Sequence, residues 1–312
     1  MNDPQTAVTV RDTSLRDGLQ SIGRIVPTAA KREWLQAAYA AGLRELEVGS
    51  FVPERLMPQL ADTDALVSSA LALPGLTVSV LVPNLRGAER ALAAGAHAML
   101  LPLSASHAHS LANLRKVPDE VVREIGAIRA ARDAAGAACT LEVGISTAFG
   151  CTLQGRVAPG EVLRLLAAVL DAGADRVGLA DTVGYADPSA VAALFEAARR
   201  VAGDRLACGH FHDTRGLGMA NVHAAWRVGI RCFDACVGGI GGCPHAPGAS
   251  GNVATEDLAY LFASMGVPTG LDFDRLMALR ARIGEWLPGE TLHGAIWKAG
   301  LPKTLRAAAS TA

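Results

Sequence analysis

The chain has 312 residues, half of them hydrophobic and 19% charged, with a formal net charge of −1 at pH 7. That balance suits a soluble protein with one large core, and it excludes the broad basic field that binding to nucleic acid or an anionic membrane would use. No apolar run reaches the roughly 18 residues of a membrane helix. The short polar stretch 1–8 has neither an apolar signal core nor an Arg/Ser-rich amphipathic pattern, so a cytoplasmic location is expected. Of the six cysteines, none forms a C-x-x-C pair, and all but Cys243 are expected to be small buried hydrophobes.

In chain order, short apolar runs rich in β-branched residues alternate with longer segments of helical spacing. Strands are predicted over 8–14, 43–49, 76–82, 97–102, 139–144, 176–180, 206–212 and 232–237. Helices are predicted between them, among others over 29–41, 118–135, 159–172, 188–201 and 220–228. Continuous hydrophobicity in the strands suits a parallel sheet covered by helices. A weak repeat supports a recurring βα unit: Gly42, Gly95, Gly136, Gly173 and Gly229 each stand between a helical pattern and a strand. Glycine there can adopt the left-handed conformation that ends a helix. A doubly wound sheet would show the same alternation, but no G-x-G-x-x-G follows the first strand. Eight strands is the count that closes a TIM barrel. The expected architecture is a single (β/α)8 barrel catalytic domain over 1–312, with 272–312 as an appended helical segment.

Polar residues gather where the predicted strands end, which in such a barrel is the rim that carries active sites. The first strand runs into Arg16, Asp17 and Gln20, the second ends at Glu47 and Ser50, and the sixth at Asp181. His210 and His212 are two apart on a strand, so both point to one face. Barrel closure brings strands 7, 8 and 1 together. Asp17, His210, His212 and Asn252 thereby form a mixed N/O set suited to Mg2+, Mn2+ or Zn2+, among which spacing does not choose. Arg16 is placed to stabilise a developing enolate oxygen, or to form an ion pair with Glu47 or Asp181. The stretch 238–252 has glycines at 239, 241, 242, 248 and 251 around Cys243, and reads as a loop that closes over substrate. His107 and His109 are expected at the surface or at the substrate's edge, and His97, His223 and His293 in structural roles.

These motifs resemble the 3-hydroxy-3-methylglutaryl-CoA lyase family, within the wider group of metal-dependent barrels that includes isopropylmalate and homocitrate synthases. The resemblance runs from about residue 8 to 270. It rests on Arg16-Asp17-Gly18-Leu19-Gln20, on Ser50-Phe51-Val52-Pro53, and above all on Gly241-Gly242-Cys243-Pro244, Gly248-Ala249-Ser250-Gly251-Asn252 and Ala254-Thr255-Glu256-Asp257. It implies a retro-Claisen cleavage to acetyl-CoA and acetoacetate, with Asp17, His210, His212 and Asn252 holding a divalent cation: Mg2+ or Mn2+ first, Zn2+ or Co2+ as alternatives. It implies that Arg16 stabilises the enolate and that Cys243 acts from the glycine loop. Glu47 and Asp181 would hold the site or assist proton transfer, and Arg16, Gln20 and Ser50 would contact an acyl-CoA substrate. A homodimer or homotetramer is expected. Ser21, Ile22, His245 and the stretch Thr152-Leu153-Gln154 depart from the family pattern at positions flanking substrate rather than metal. A related thioester such as citramalyl-CoA therefore stands as an alternative substrate, and a Claisen-type condensing synthase as an alternative activity.

Overall fold

The computed structural model describes residues 7–242, 251–303 and 305. Eight parallel strands close in sequence order: β1 (Thr9–Asp12), β2 (Glu45–Ser50), β3 (Thr77–Leu81), β4 (Ala98–Ser104), β5 (Thr140–Ser146), β6 (Arg176–Asp181), β7 (Leu206–Phe211) and β8 (Cys232–Ala235), with β8 paired to β1. This is the TIM barrel. Helices α1 (Thr28–Ala40), α2 (Thr63–Leu71), α3 (Leu85–Ala94), α4 (His107–Leu114), α5 (Pro118–Ala134), α6 (Pro159–Asp171), α7 (Pro188–Ala202), α8 (Gly218–Arg227) and α9 (Thr255–Ser264) follow in order around it.

Local chemistry sets the helix ends. Asp187 accepts the N–H groups of Ser189 and Ala190, and Pro188 opens α7 where its missing N–H costs nothing. All five glycines of the repeated turn take positive φ, from 60° at Gly136 to 110° at Gly173. The recurring signal in the sequence is thus a helix-terminating backbone requirement.

Period-2 alternation then sorts each strand into two faces. On β7, Phe211 points outward and packs against Phe195 of α7, with ring centroids 6.0 Å apart. Phe149 joins them, and Phe233 of β8 stacks on Phe262 of α9. These rings belong to a continuous apolar layer between strands and helices. Burying one such side chain stabilises the fold by about 1.5–3 kcal/mol. The inward positions of β7 and β8 are instead Cys208, His210, Cys232 and Asp234.

Beyond the barrel, α10 (Phe273–Trp286) lies against α1, with Trp286 stacked on Trp34 at 5.8 Å. Arg280 of α10 pairs with the fully buried Glu256 at 2.6 Å. A short α11 (Ile296–Ala299) is tied to α9 through Asp257, which accepts the N–H groups of Ala295 and Ile296. Among the described residues no helix is long and apolar enough to cross a membrane.

Two features depart from the sequence reading. His107 and His109 open α4, and Ser106 caps it by accepting the His109 N–H. A two-residue step on a helix sends side chains to different sides. His107 is accordingly exposed, while His109 is buried and bonded to the Ser104 hydroxyl at 3.0 Å, not at the surface. The second departure is at 14–18, where β1 ends in a π-helical turn, all five of whose residues are buried.

Candidate active site

That π-helical turn carries Arg16 and Asp17, and such turns frequently mark functional positions. Asp17 is gripped from several sides. Its Oδ1 accepts from Arg16 Nη1 at 2.5 Å and from Gln20 Nε2 at 2.9 Å. Its Oδ2 accepts from Asn252 Nδ2 at 2.6 Å and lies 3.8 Å from His212 Nε2 and 4.0 Å from His210 Nε2. Burial would raise the Asp17 pKa, but the Arg16 cation, then the two histidines, hold it far below the usual carboxylate range. The group is held as an anion, the form in which a carboxylate binds a cation.

Asn252 reaches the site because the segment around it threads between the ends of β7 and β8. Val253 N–H donates to Phe211 O, Asp213 N–H to Gly251 O, and Cys236 N–H to Val253 O. Two glycines make this possible. Gly251 has φ +100°, and a Cβ there would lie 2.3 Å from the Gly239 carbonyl oxygen. Gly241 has φ +92°, and a Cβ there would meet Asp17 O at 2.7 Å and Asn252 Nδ2 at 2.8 Å. These glycines serve close packing against the site. The closing loop expected around Cys243, and Cys243 itself, lie outside the described residues.

Asp17, His210 and His212 offer ligand atoms within 4.8 Å of one another. Asn252 Nδ2 is committed to Asp17 Oδ2, Ile240 O and Gly241 O, which leaves the buried Asn252 Oδ1 without a partner. A buried unpaired acceptor is costly unless something occupies it. One carboxylate, two imidazoles and an orphaned amide oxygen are a donor set that fits a divalent cation.

Arg16 is buried between two carboxylates, Asp17 and Glu47, with Nη2 2.7 Å from Glu47 Oε2. Burial alone would lower its pKa; Glu47, then Asp17, raise it. Neither Glu47 oxygen has a well-directed hydrogen bond, and burial pushes this carboxyl up despite Arg16. Asp181, at the end of β6, spends its oxygens on the N–H groups of Tyr185 (2.8 Å) and Ala186 (3.0 Å), so it pins the following turn. Ser50 is buried at the end of β2, and its Oγ accepts the Val52 N–H. Of the two ion-pair partners proposed for Arg16, the structure brings up Glu47.

Four residues escaped the sequence reading. His210 Nδ1 is 3.0 Å from Asp234 Oδ2, and Asp234 Oδ1 accepts from Arg11 Nε at 2.6 Å. Arg11 also forks onto Glu142 at 2.9 and 3.0 Å. This buried chain fixes the His210 ring and leaves its Nε2 facing Asp17, a supporting arrangement usual behind metal-ligating histidines. Asp12, the fourth, accepts from Ser14 and Thr255 and ties β1 to the start of α9; burial pushes it up to about 6. A charged residue at an inward position of an otherwise apolar strand, as at 11, 142 and 234, was the available signal.

The HMGL-like family model matches residues 7–283. The chain belongs to the HMGL-like family. It is 40% identical over 309 residues to the (R)-citramalyl-CoA lyase of Chloroflexus aurantiacus, covering 94% of this chain and 95% of that one. It is 37% identical to the hydroxymethylglutaryl-CoA lyase of Pseudomonas mevalonii, covering 90% and 93%. Among solved structures, an HMG-CoA lyase from Acinetobacter baumannii, in complex with coenzyme A and 3-methylmalate, superposes with a TM-score of 0.89 at 36% identity, covering 96% of this chain and 97% of that one. Within the HMGL-like family these relatives are lyases, and this chain is a carbon–carbon lyase.

Proposed function

We propose that this chain cleaves a 3-hydroxyacyl-CoA thioester by a divalent-cation-assisted retro-Claisen reaction, with 3-hydroxy-3-methylglutaryl-CoA as the substrate and acetyl-CoA and acetoacetate as products. The observation that carries the reading is the unpartnered Asn252 Oδ1 beside the Asp17, His210 and His212 cluster, with Arg16 in contact with Asp17.

Asp17, His210, His212 and Asn252 would hold Mg2+ or Mn2+. The cation would supply Lewis acidity toward substrate oxygens and ease loss of the 3-hydroxyl proton. When a base takes that proton, the hydroxyl carbon becomes a ketone and its bond to the carbon next to the thioester carbonyl breaks. Its electron pair passes to the thioester as an enolate. Arg16, held rigid by Glu47 and Asp17, presents planar donors to that enolate oxygen. Cys243, by the family resemblance, gives the proton that completes acetyl-CoA. Glu47 keeps Arg16 in place, Asp181 fixes the turn after β6, and Gln20 and Ser50 border the thioester.

Citramalyl-CoA is the second reading, favoured by the 40% identical relative named for it. Its acid arm is one methylene shorter, and cleavage yields pyruvate in place of acetoacetate. The test is purified chain with Mg2+ or Mn2+ and both thioesters, scored for acetyl-CoA and for the keto acid formed. Acetoacetate as the faster product supports the first reading, and pyruvate replaces it with the second. No acetyl-CoA from either, or full activity in excess EDTA, overturns the proposal.

A further inference from the structure

Below the site, at the other end of the barrel, two thiols meet. The β7·β8 register pairs Gly209 with Phe233 and His210 with Asp234. One step earlier, Cys208 stands opposite Cys232, and their sulfurs are 3.0 Å apart. Neighbouring strands run about 4.8 Å apart, inside the roughly 4.4–6.8 Å Cα separation a disulfide spans. No other cysteine pair among the described residues shows such a contact.

The two thiols differ in access. Cys208 is buried, with its sulfur 3.3 Å from Asp234 Oδ1. Cys232 is half-buried and borders a cavity of about 390 Å3 that is also lined by Thr9, Arg11, Glu45 and Arg176. Thr9, Glu45, Arg176 and Cys232 are the first residues of β1, β2, β6 and β8, so the cavity is the N-terminal mouth of the barrel, opposite the rim. It is polar, open and large enough for a molecule the size of a small hydroperoxide.

We propose that Cys208 and Cys232 are an oxidisable dithiol that reduces a hydroperoxide at the N-terminal mouth, Cys232 being the entry thiol and Cys208 the resolving one. Cys232, as thiolate, attacks one oxygen of hydrogen peroxide. The S–O bond forms, the O–O bond breaks, and the departing hydroxide leaves as water with the proton released by the thiol. Cys208 sulfur then attacks the sulfenic sulfur. The S–S bond forms, the S–O bond breaks, and the second hydroxide leaves as water with the Cys208 proton. Two thiols lose two electrons and one peroxide gains them. A thiol pair of this kind, among described residues whose five cysteines are all free, fits transient rather than permanent oxidation.

The test uses the native full chain treated with hydrogen peroxide, quenched in acid, blocked with N-ethylmaleimide and mapped by non-reducing peptide mass spectrometry. A Cys208–Cys232 crosslink that grows with peroxide and disappears with dithiothreitol is the expected result. A wild-type chain in which Cys232 is trapped by dimedone while Cys208 still takes N-ethylmaleimide overturns the proposal, as does a crosslink formed only in urea. In Cys208→Ala the resolving thiol is gone, so dimedone labelling of Cys232 should rise several-fold; labelling equal to wild type overturns the assigned roles. Both measurements are independent of lyase activity, so their failure leaves the proposed function standing.

Discussion

Asp234→Asn keeps the shape of the side chain and removes its charge. Asp234 is buried and meets three groups, Arg11 Nε at 2.6 Å, His210 Nδ1 at 3.0 Å and Cys208 Sγ at 3.3 Å. The amide offers one acceptor oxygen, so either Arg11 or His210 loses its partner. Arg11 keeps its fork on Glu142, and the stability loss is that of one hydrogen bond to a charged group, about 2 kcal/mol. It falls below the ~3–5 kcal/mol of a buried charge left wholly unpaired. The effect on the site is larger in proportion. His210 loses the carboxylate that fixes its ring, and removing such a partner weakens metal binding by about 10–100-fold, or about 1.4–2.8 kcal/mol. Mn2+ affinity, read by electron paramagnetic resonance on wild type and variant, measures this directly. A variant that is folded by circular dichroism and binds Mn2+ within about twofold of wild type would refute the reasoning, because His210 would then hold its orientation without Asp234.

Three further outcomes follow from the same geometry. Arg16→Lys should lower kcat by about two orders of magnitude with little change in KM, because a lysine keeps the charge but loses the planar donors aimed at the enolate; a change confined to KM would place Arg16 in ground-state binding. Gly251→Ala should cost at least about 2 kcal/mol in urea unfolding, given φ +100° and a Cβ 2.3 Å from the Gly239 oxygen; an unchanged midpoint would show that the segment relaxes freely. Burial raises Glu256 from 4.5 to about 7 even though Arg280 opposes it. A carboxyl raised on folding contributes stability that is present below pH 4.5 and lost as pH rises through 7, by about 3 kcal/mol in total. The stability advantage of wild type over Glu256→Gln should therefore shrink between pH 4.5 and 8, and an advantage that grows with pH would mean that Arg280 outweighs burial.

The parts of this fold legible in the sequence are those with a local cause. The five interhelical glycines announce helix ends because a positive φ is cheap for no other residue, and the observed angles at Gly42, Gly95, Gly136, Gly173 and Gly229 match. The approach of Asp17, His210, His212 and Asn252 was readable because His-x-His on a strand has a fixed geometry and barrel closure fixes which strands adjoin. Other features depend on relations with no local signature. Arg11 stands 131 residues from Glu142 and 223 from Asp234 in chain, so each charge at an inward strand position marks itself as unusual, but nothing local says which partner it takes. His109 departs for a related reason: H-x-H puts both rings on one face only on a strand, and here the backbone is helical from His107, capped by Ser106. At Gly241 and Gly251 the sequence shows the glycines but not their neighbours: a Cβ at either would run into Asp17 O or Gly239 O, a closeness that only the fold reveals.

The interior of a barrel is normally filled by layers of bulky branched side chains. Here the inward layers of β1, β5, β7 and β8 hold charges and thiols, which is costly unless every charge is paired. Pairing is complete along Glu142, Arg11 and Asp234, and each link constrains the next. The bidentate fork on Glu142 fixes the plane of the guanidinium, which fixes the direction of Arg11 Nε. That direction sets which oxygen of Asp234 is taken, and the other is left for His210 Nδ1. An apolar filling of equal volume would hold the barrel as well, but it would let the imidazole turn. The polar filling gives up some stability to settle which nitrogen of His210 faces Asp17, and it places the Cys208 sulfur against the same Asp234 oxygen that Arg11 holds. The N-terminal mouth and the catalytic rim are thus joined through one carboxylate.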